Sequence, residues 1–184
     1  SLAYCDELFG QVLGVLDHLG LREDTLVVFT SDHGEMLYDH RLWSKSNFFE
    51  QSVHVPLILS WPGRLEAGTS VALAEHIDLF PTLLGLAGVA LPTDREIDGR
   101  DMSSLLIDPD GASSPHAELF YFPVLRGSRP VAVRNERYKY HVSTGDTGRD
   151  KPILVDVHRD QENHNLIRRL PREGAALAKS LASF

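Results

Sequence analysis

Leu8, Val12, Val15, Leu16 and Leu19 recur with the spacing of one helical face. They predict a helix from about Tyr4 to Leu19, with Gly20 as its C-terminal cap. A short loop leads to Leu26-Val27-Val28-Phe29-Thr30, a β-branched apolar run that predicts a strand buried on both faces. A second buried strand is predicted over Val55 to Trp61, with Pro56 at its start and Pro62-Gly63 stopping it. Ile77, Phe80, Leu83, Leu84 and Ala87 mark another helix. Asp78 is its candidate N-cap, Pro81 falls in the tolerated first turn, and Gly88 closes it.

Residues Ala90 to Pro115 are rich in Asp, Pro, Gly and Ser and read as loop, with a helical turn at Met102 to Leu106. The character changes after His116. Ala132 to Arg134 and Tyr138 to Val142 predict two strands around an Asn135-Glu136-Arg137 turn, and Ile153 to Val157 predicts a third. Short, regularly spaced strands suit an antiparallel sheet. A helix rich in Ala and Leu begins at Pro171.

Composition narrows the function classes. The net charge of −8, with no clustered Lys/Arg stripe, argues against a nucleic-acid partner. No apolar stretch reaches the roughly 18 residues of a membrane span. The single cysteine, Cys5, excludes an intrachain disulfide framework and reads as a helix residue. There is no initiator Met and no signal peptide, so a fragment is expected. The expected setting is soluble, cytoplasmic or periplasmic.

The candidate chemistry sits at the end of the first strand, in Thr30-Ser31-Asp32-His33-Gly34-Glu35. Ligands bind beyond the carboxyl ends of strands in open α/β sheets. Neighbouring strand residues point to opposite faces, so Asp32 and His33 converge only if the backbone turns, which Gly34 permits. A carboxylate oxygen and an imidazole nitrogen both suit a divalent metal, though two ligands are too few for a complete site. The competing reading has Asp32 capping a turn and His33 packing under a loop. Lys45 offers a compact ammonium to one oxygen of a sulfate or phosphate; the alternative is a solvated loop lysine. His40 is a candidate donor to an anion or leaving group, or else structural. Asp78, Asp98 and Asp101 form no recognisable cluster.

Taken in order, these segments resemble the C-terminal part of the sulfatase family, within the alkaline-phosphatase-like superfamily. The resemblance runs through Thr30-Ser31-Asp32-His33-Gly34-Glu35-Met36-Leu37, Asp39-His40, Trp43-Ser44-Lys45, His54-Val55-Pro56-Leu57-Ile58 and Trp61-Pro62-Gly63. It continues through His76 to Leu84, Asp98-Gly99-Arg100, Arg134 to Tyr140, Leu154 to Val157 with Asp160-Gln161-Glu162, and Asn165-Leu166. It implies an α/β fold: part of an alkaline-phosphatase-like, mostly parallel sheet with helices over residues 1–115. A small C-terminal antiparallel sheet packed with a helix follows over 116–184.

It also implies hydrolysis of sulfate esters, with Asp32 and His33 as metal ligands and Lys45 on the sulfate. Family habit favours calcium; the histidine ligand brings manganese into range. The nucleophile would be a formylglycine made from the first residue of a Cys/Ser-x-Pro/Ala-x-Arg motif, expected outside this chain. Cys5-Asp6-Glu7-Leu8-Phe9 does not fit that motif. Two local departures are Arg41 after His40, where glycine is common, and the lack of a proline after Asp160. The chain alone is expected to be inactive, and to self-associate or leave a groove where its first strand lacks neighbours. A phosphonate monoester or phosphodiester hydrolase of the same superfamily, and a non-catalytic scaffold module, are the alternatives.

Overall fold

The computed structural model describes residues 2–45, 47–108, 112–122, 131–144, 150–159 and 162–184. Ser46 and the Asp160-Gln161 pair of the terminal block lie outside them. The chain divides into two compact units, residues 1–32 with 56–69, and residues 33–55 with 70–184.

In the first unit, α1 (Leu2–His18) leads to β1 (Val27–Thr30), which pairs with β2 (Leu57–Ser60). The helix ends as its sequence predicts. Gly20 is left-handed at φ 65°, Leu21 N–H donates to Leu16 O at 2.9 Å, and Gly20 N–H donates to Asp17 O at 3.1 Å. That is the doubled bond pattern of a glycine-capped C-terminus. The strands differ from expectation in two ways. They pair antiparallel, Val28 opposite Leu59. They are also half-buried, with Phe29 39% and Ile58 56% exposed. The apolar run is long enough for a strand covered on both faces, but the described residues supply a neighbour on one edge only.

The second unit holds α2 (Glu50–Val53), α3 (Leu79–Ala87), α4 (Ser103–Ile107) and a four-stranded antiparallel sheet ordered β3-β4-β5-β6. Its strands are β3 (Leu119–Tyr121), β4 (Ala132–Arg134), β5 (Tyr138–Thr144) and β6 (Asp150–Asp156). The sequence pattern does not announce β3. The β4–β5 turn is built by Asn135, whose Oδ1 accepts from the N–H of Arg137 at 3.0 Å and of Tyr138 at 2.7 Å. Helix α5 (Pro171–Ser183) lays Leu177 onto Val133, Tyr140 and Leu154, which form the core. Gly174 lets it approach: a Cβ there would stand 2.4 Å from Ile167 Cδ1.

Asp78 does not cap α3. It lies fully buried and accepts from the backbone N–H of Glu75 and of Arg100, both at 2.8 Å, while His116 Nε2 sits 2.8 Å from its Oδ2. Three partners from separate segments make it a hub for the loops around α3. Sequence spacing could not show this, because His116 lies 38 residues away. Gly99 belongs to the same junction, where a Cβ would meet Ile77 O at 1.9 Å.

Candidate functional site

Gly34 anchors the loop that follows β1. Its N–H donates to Ser52 O at 2.9 Å, and a Cβ there would stand 1.9 Å from Gln51 O. The glycine is therefore required by the close approach of the α2 backbone and not by a left-handed turn, since its φ is not positive. Met36, fully buried, pins the next position, and its N–H donates to Ser44 O at 3.0 Å. Between them the chain folds tightly, with Leu37, Tyr38, His40, Arg41 and Ser44 all at positive φ. Five left-handed non-glycine residues in eight is a concentration of backbone strain of the kind met at functional loops. Arg41, at φ 60°, holds a conformation that glycine adopts without strain.

This loop brings Lys45 back to His33. Lys45 Nζ lies 2.6 Å from His33 Nε2, while His33 Nδ1 lies 2.8 Å from Gly34 O. A carbonyl only accepts, so Nδ1 carries the proton and Nε2 presents its lone pair to a cation. An imidazole oriented through one nitrogen by a carbonyl is the arrangement that also orients metal-ligating histidines, and here the other nitrogen faces the Lys45 ammonium. Asp32, exposed, precedes it in the chain and closes the first of the two segments of the first unit. The two donors fit a divalent ion chemically. Among the described residues no group of three or more His, Cys, Asp or Glu gathers to hold one.

His40 stacks face to face on Phe49, with centroids 3.9 Å apart and planes at 13°. That contact uses the ring face and leaves the nitrogens at the edge.

Behind α2 lies a buried charge cluster that sequence reading does not find. Lys139, 1% exposed, donates to Phe48 O at 2.5 Å, Glu50 Oε1 at 2.6 Å and Glu162 Oε1 at 2.8 Å. Arg134 Nη1 reaches both Glu50 oxygens, at 3.0 and 3.2 Å, and Glu162 Oε2 accepts from Glu50 N–H at 2.7 Å. Burial pushes the Glu50 carboxyl up, but Lys139 and Arg134 pull it further down, so it titrates below its ordinary value. Burial raises the Tyr121 hydroxyl and lowers the His141 imidazole, the latter helped by the Lys139 charge. The cluster ties β4 and β5 to α2, and α2 carries the carbonyl that holds Gly34. A lysine inside an alternating strand pattern gives no sequence signal of burial.

One further motif lies at the end of β2. Ser60-Trp61-Pro62-Gly63-Arg64 spells the Ser-x-Pro-x-Arg spacing within the chain. Ser60 pairs with Val27 in the sheet, and the Arg64 guanidinium lies 4.8 Å over the Trp61 ring. It is a strand end and a stacked turn.

Helices packed with antiparallel sheets define an α/β protein of the alkaline-phosphatase-like class. The sulfatase family model matches residues 1–89. Human arylsulfatase A is 33% identical over 91% of this chain, and the choline-sulfatase of Rhizobium meliloti (strain 1021) is 35% identical over 76%. The chain spans 38% and 27% of those two proteins. A structure solved with its substrate, D-glucosamine-2-N,6-O-disulfate, superposes with a TM-score of 0.85 at 25% identity, covering all of this chain and 38% of that one. The phosphonate monoester hydrolase from Silicibacter pomeroyi superposes with a TM-score of 0.72 at 30% identity, covering 97% of this chain and 37% of that one. The chain belongs to the sulfatase family, in the alkaline-phosphatase-like superfamily.

Proposed function

We propose that this chain carries the cationic side of a sulfuric ester hydrolase site. The observation that carries the reading is Lys45 Nζ held 2.6 Å from His33 Nε2 by the strained loop. In this role Lys45 meets one oxygen of the sulfate and stabilises charge as it grows on the transferring group. Asp32 and His33 would hold a divalent ion, calcium by family habit or manganese, to neutralise sulfate oxygens, with Lys45 passing from His33 Nε2 to the sulfate, because one lone pair serves one cation at a time. Gly34 O keeps the imidazole in the tautomer this needs. His40, its ring face occupied by Phe49, offers an edge nitrogen to the leaving group. The formylglycine nucleophile is assigned to residues beyond these 184, so the chain by itself is inactive toward aryl sulfates.

In the polypeptide that completes the site, Lys45→Ala should lower kcat/KM for 4-nitrophenyl sulfate by about 100-fold or more. Unchanged kinetics would sink the reading. Asp32→Ala should abolish tightly bound divalent ion, measured by elemental analysis of the purified protein. A second reading, phosphonate monoester hydrolysis, is favoured by the Silicibacter pomeroyi enzyme's 30% identity over 97% of this chain. Comparing 4-nitrophenyl sulfate with 4-nitrophenyl phenylphosphonate decides between them.

A further inference from the structure

Both faces of the four-stranded sheet are occupied, because neighbouring residues of a strand point to opposite sides. Val133, Tyr140 and Leu154 pack with Leu177 of α5. Arg134 and Lys139, paired across β4 and β5, lie on the other face. Tyr121 and His141 share it, and the Phe48 ring stands 6.1 and 6.2 Å from theirs. This second face receives residues 48–52 through charge. Lys139 Nζ donates to Phe48 O at 2.5 Å and to Glu50 Oε1 at 2.6 Å. Glu162 accepts from Lys139 through one oxygen and caps the Glu50 N–H, in the first turn of α2, through the other. A one-turn helix does not hold its own place, so its position is set from outside. Glu162 does this while buried at a φ of 61°, a strain that persists only where the surroundings over-determine it.

The same short segment seats both histidines of the loop. Ser52 O accepts from Gly34 N–H at 2.9 Å, and Gln51 O leaves no room for a side chain at Gly34. Gly34 O in turn accepts from His33 Nδ1 at 2.8 Å, which directs Nε2 to Lys45. At the other end of the segment the Phe49 ring stacks on His40, with centroids 3.9 Å apart. Any displacement of residues 48–52 is therefore passed to both rings at once. Partners behind a ligand or donor fix its orientation in this way, and their loss is felt at the site they never touch.

We infer that Lys139 and Glu162 are positioning residues for the loop site: by clamping residues 48–52 they fix the tautomer of His33 and the seat of His40. The inference rests on reading the loop as the site, but its test needs no turnover. The chain is labelled with isotopic histidine and studied at about pH 8, above the ordinary imidazole range. Long-range nitrogen–proton spectra distinguish the two neutral tautomers, and His33→Gln and His40→Gln assign the two rings. Wild-type His33 should show the Nδ1–H form. Lys139→Met should convert about a quarter or more of it to the Nε2–H form and move the His40 ring protons toward their unstacked positions. Glu162→Gln keeps the size of the side chain and an acceptor for the Glu50 N–H. It should act in the same direction to a smaller degree, and it carries the test if Lys139→Met fails to fold. Leu177→Ala loosens the opposite face of the sheet and should leave both signals unchanged at a comparable loss of stability. A wild-type Nε2–H form, an unchanged His33 tautomer in every folded cluster variant, or an equal change in Leu177→Ala overturns the inference. None of these results bears on hydrolysis, which the Lys45→Ala kinetics test alone.

Discussion

Gly34 and Arg41 show how single residues set the loop. At Gly34 the requirement is space: any side chain runs into the Gln51 carbonyl. Gly34→Ala should therefore cost about 1–3 kcal/mol in denaturant melts, as overpacking does. At Arg41 the requirement is backbone freedom, since φ is 60°. Arg41→Gly should relieve this and stabilise the chain by up to about 1 kcal/mol, as relief of left-handed strain predicts. A loss of stability on that change would show that the arginine side chain contributes more than the strain costs. The Asp-His-Gly order at the end of a strand stands out in the sequence. The role of its glycine does not, because a close approach depends on a segment 17 residues further on.

At the scale of elements, α2 is the joint. It is one turn long, too short to persist on its own propensity. The Lys139–Glu50–Glu162–Arg134 cluster fixes it to β4 and β5. Lys139→Met should leave the buried Glu162 carboxylate without its cation and cost about 3–5 kcal/mol, read from the shift in the unfolding midpoint. The cluster also sets a pH dependence. Glu50 is lowered on folding, so its contribution is complete above its unfolded value near 4.5 and is lost as pH falls through the folded value. His141 is lowered too, so folding favours its neutral form, and its contribution declines as pH falls below about 6.5. Stability should thus decline from about pH 6.5 downward and more steeply below 4.5. In Glu50→Gln the steeper limb should shrink, while the shallower one remains. Helix α5 behaves more simply. Leu177, 2% exposed, anchors it, and Leu177→Ala should cost about 2–5 kcal/mol.

Across the whole molecule, the apolar stripe of α1 is mostly uncovered among the described residues, with only Leu16 half-buried. Leu8, Val12, Val15 and Leu19 are 42–62% exposed, and no residue of the helix is buried. A stripe this regular is built to pack. The isolated chain should therefore bind a hydrophobic dye and sediment as more than a monomer at high concentration. Val12→Lys with Val15→Lys should reduce both signals, and a monomeric, dye-free wild-type chain would refute the expectation.

Local pattern determined a great deal: α1 and its glycine cap, α3 and Gly88, the Asn135 turn, β4 to β6, and α5. Each is decided by neighbours within a few residues, through periodicity, capping and turn chemistry. Tertiary structure alone decided the antiparallel β1–β2 pairing, the burial of Asp78 and Lys139, and the return of Lys45 to His33. Those outcomes depend on which distant segments meet. Burial of a charge is tolerable only where the fold delivers its partners, and no local pattern encodes that delivery.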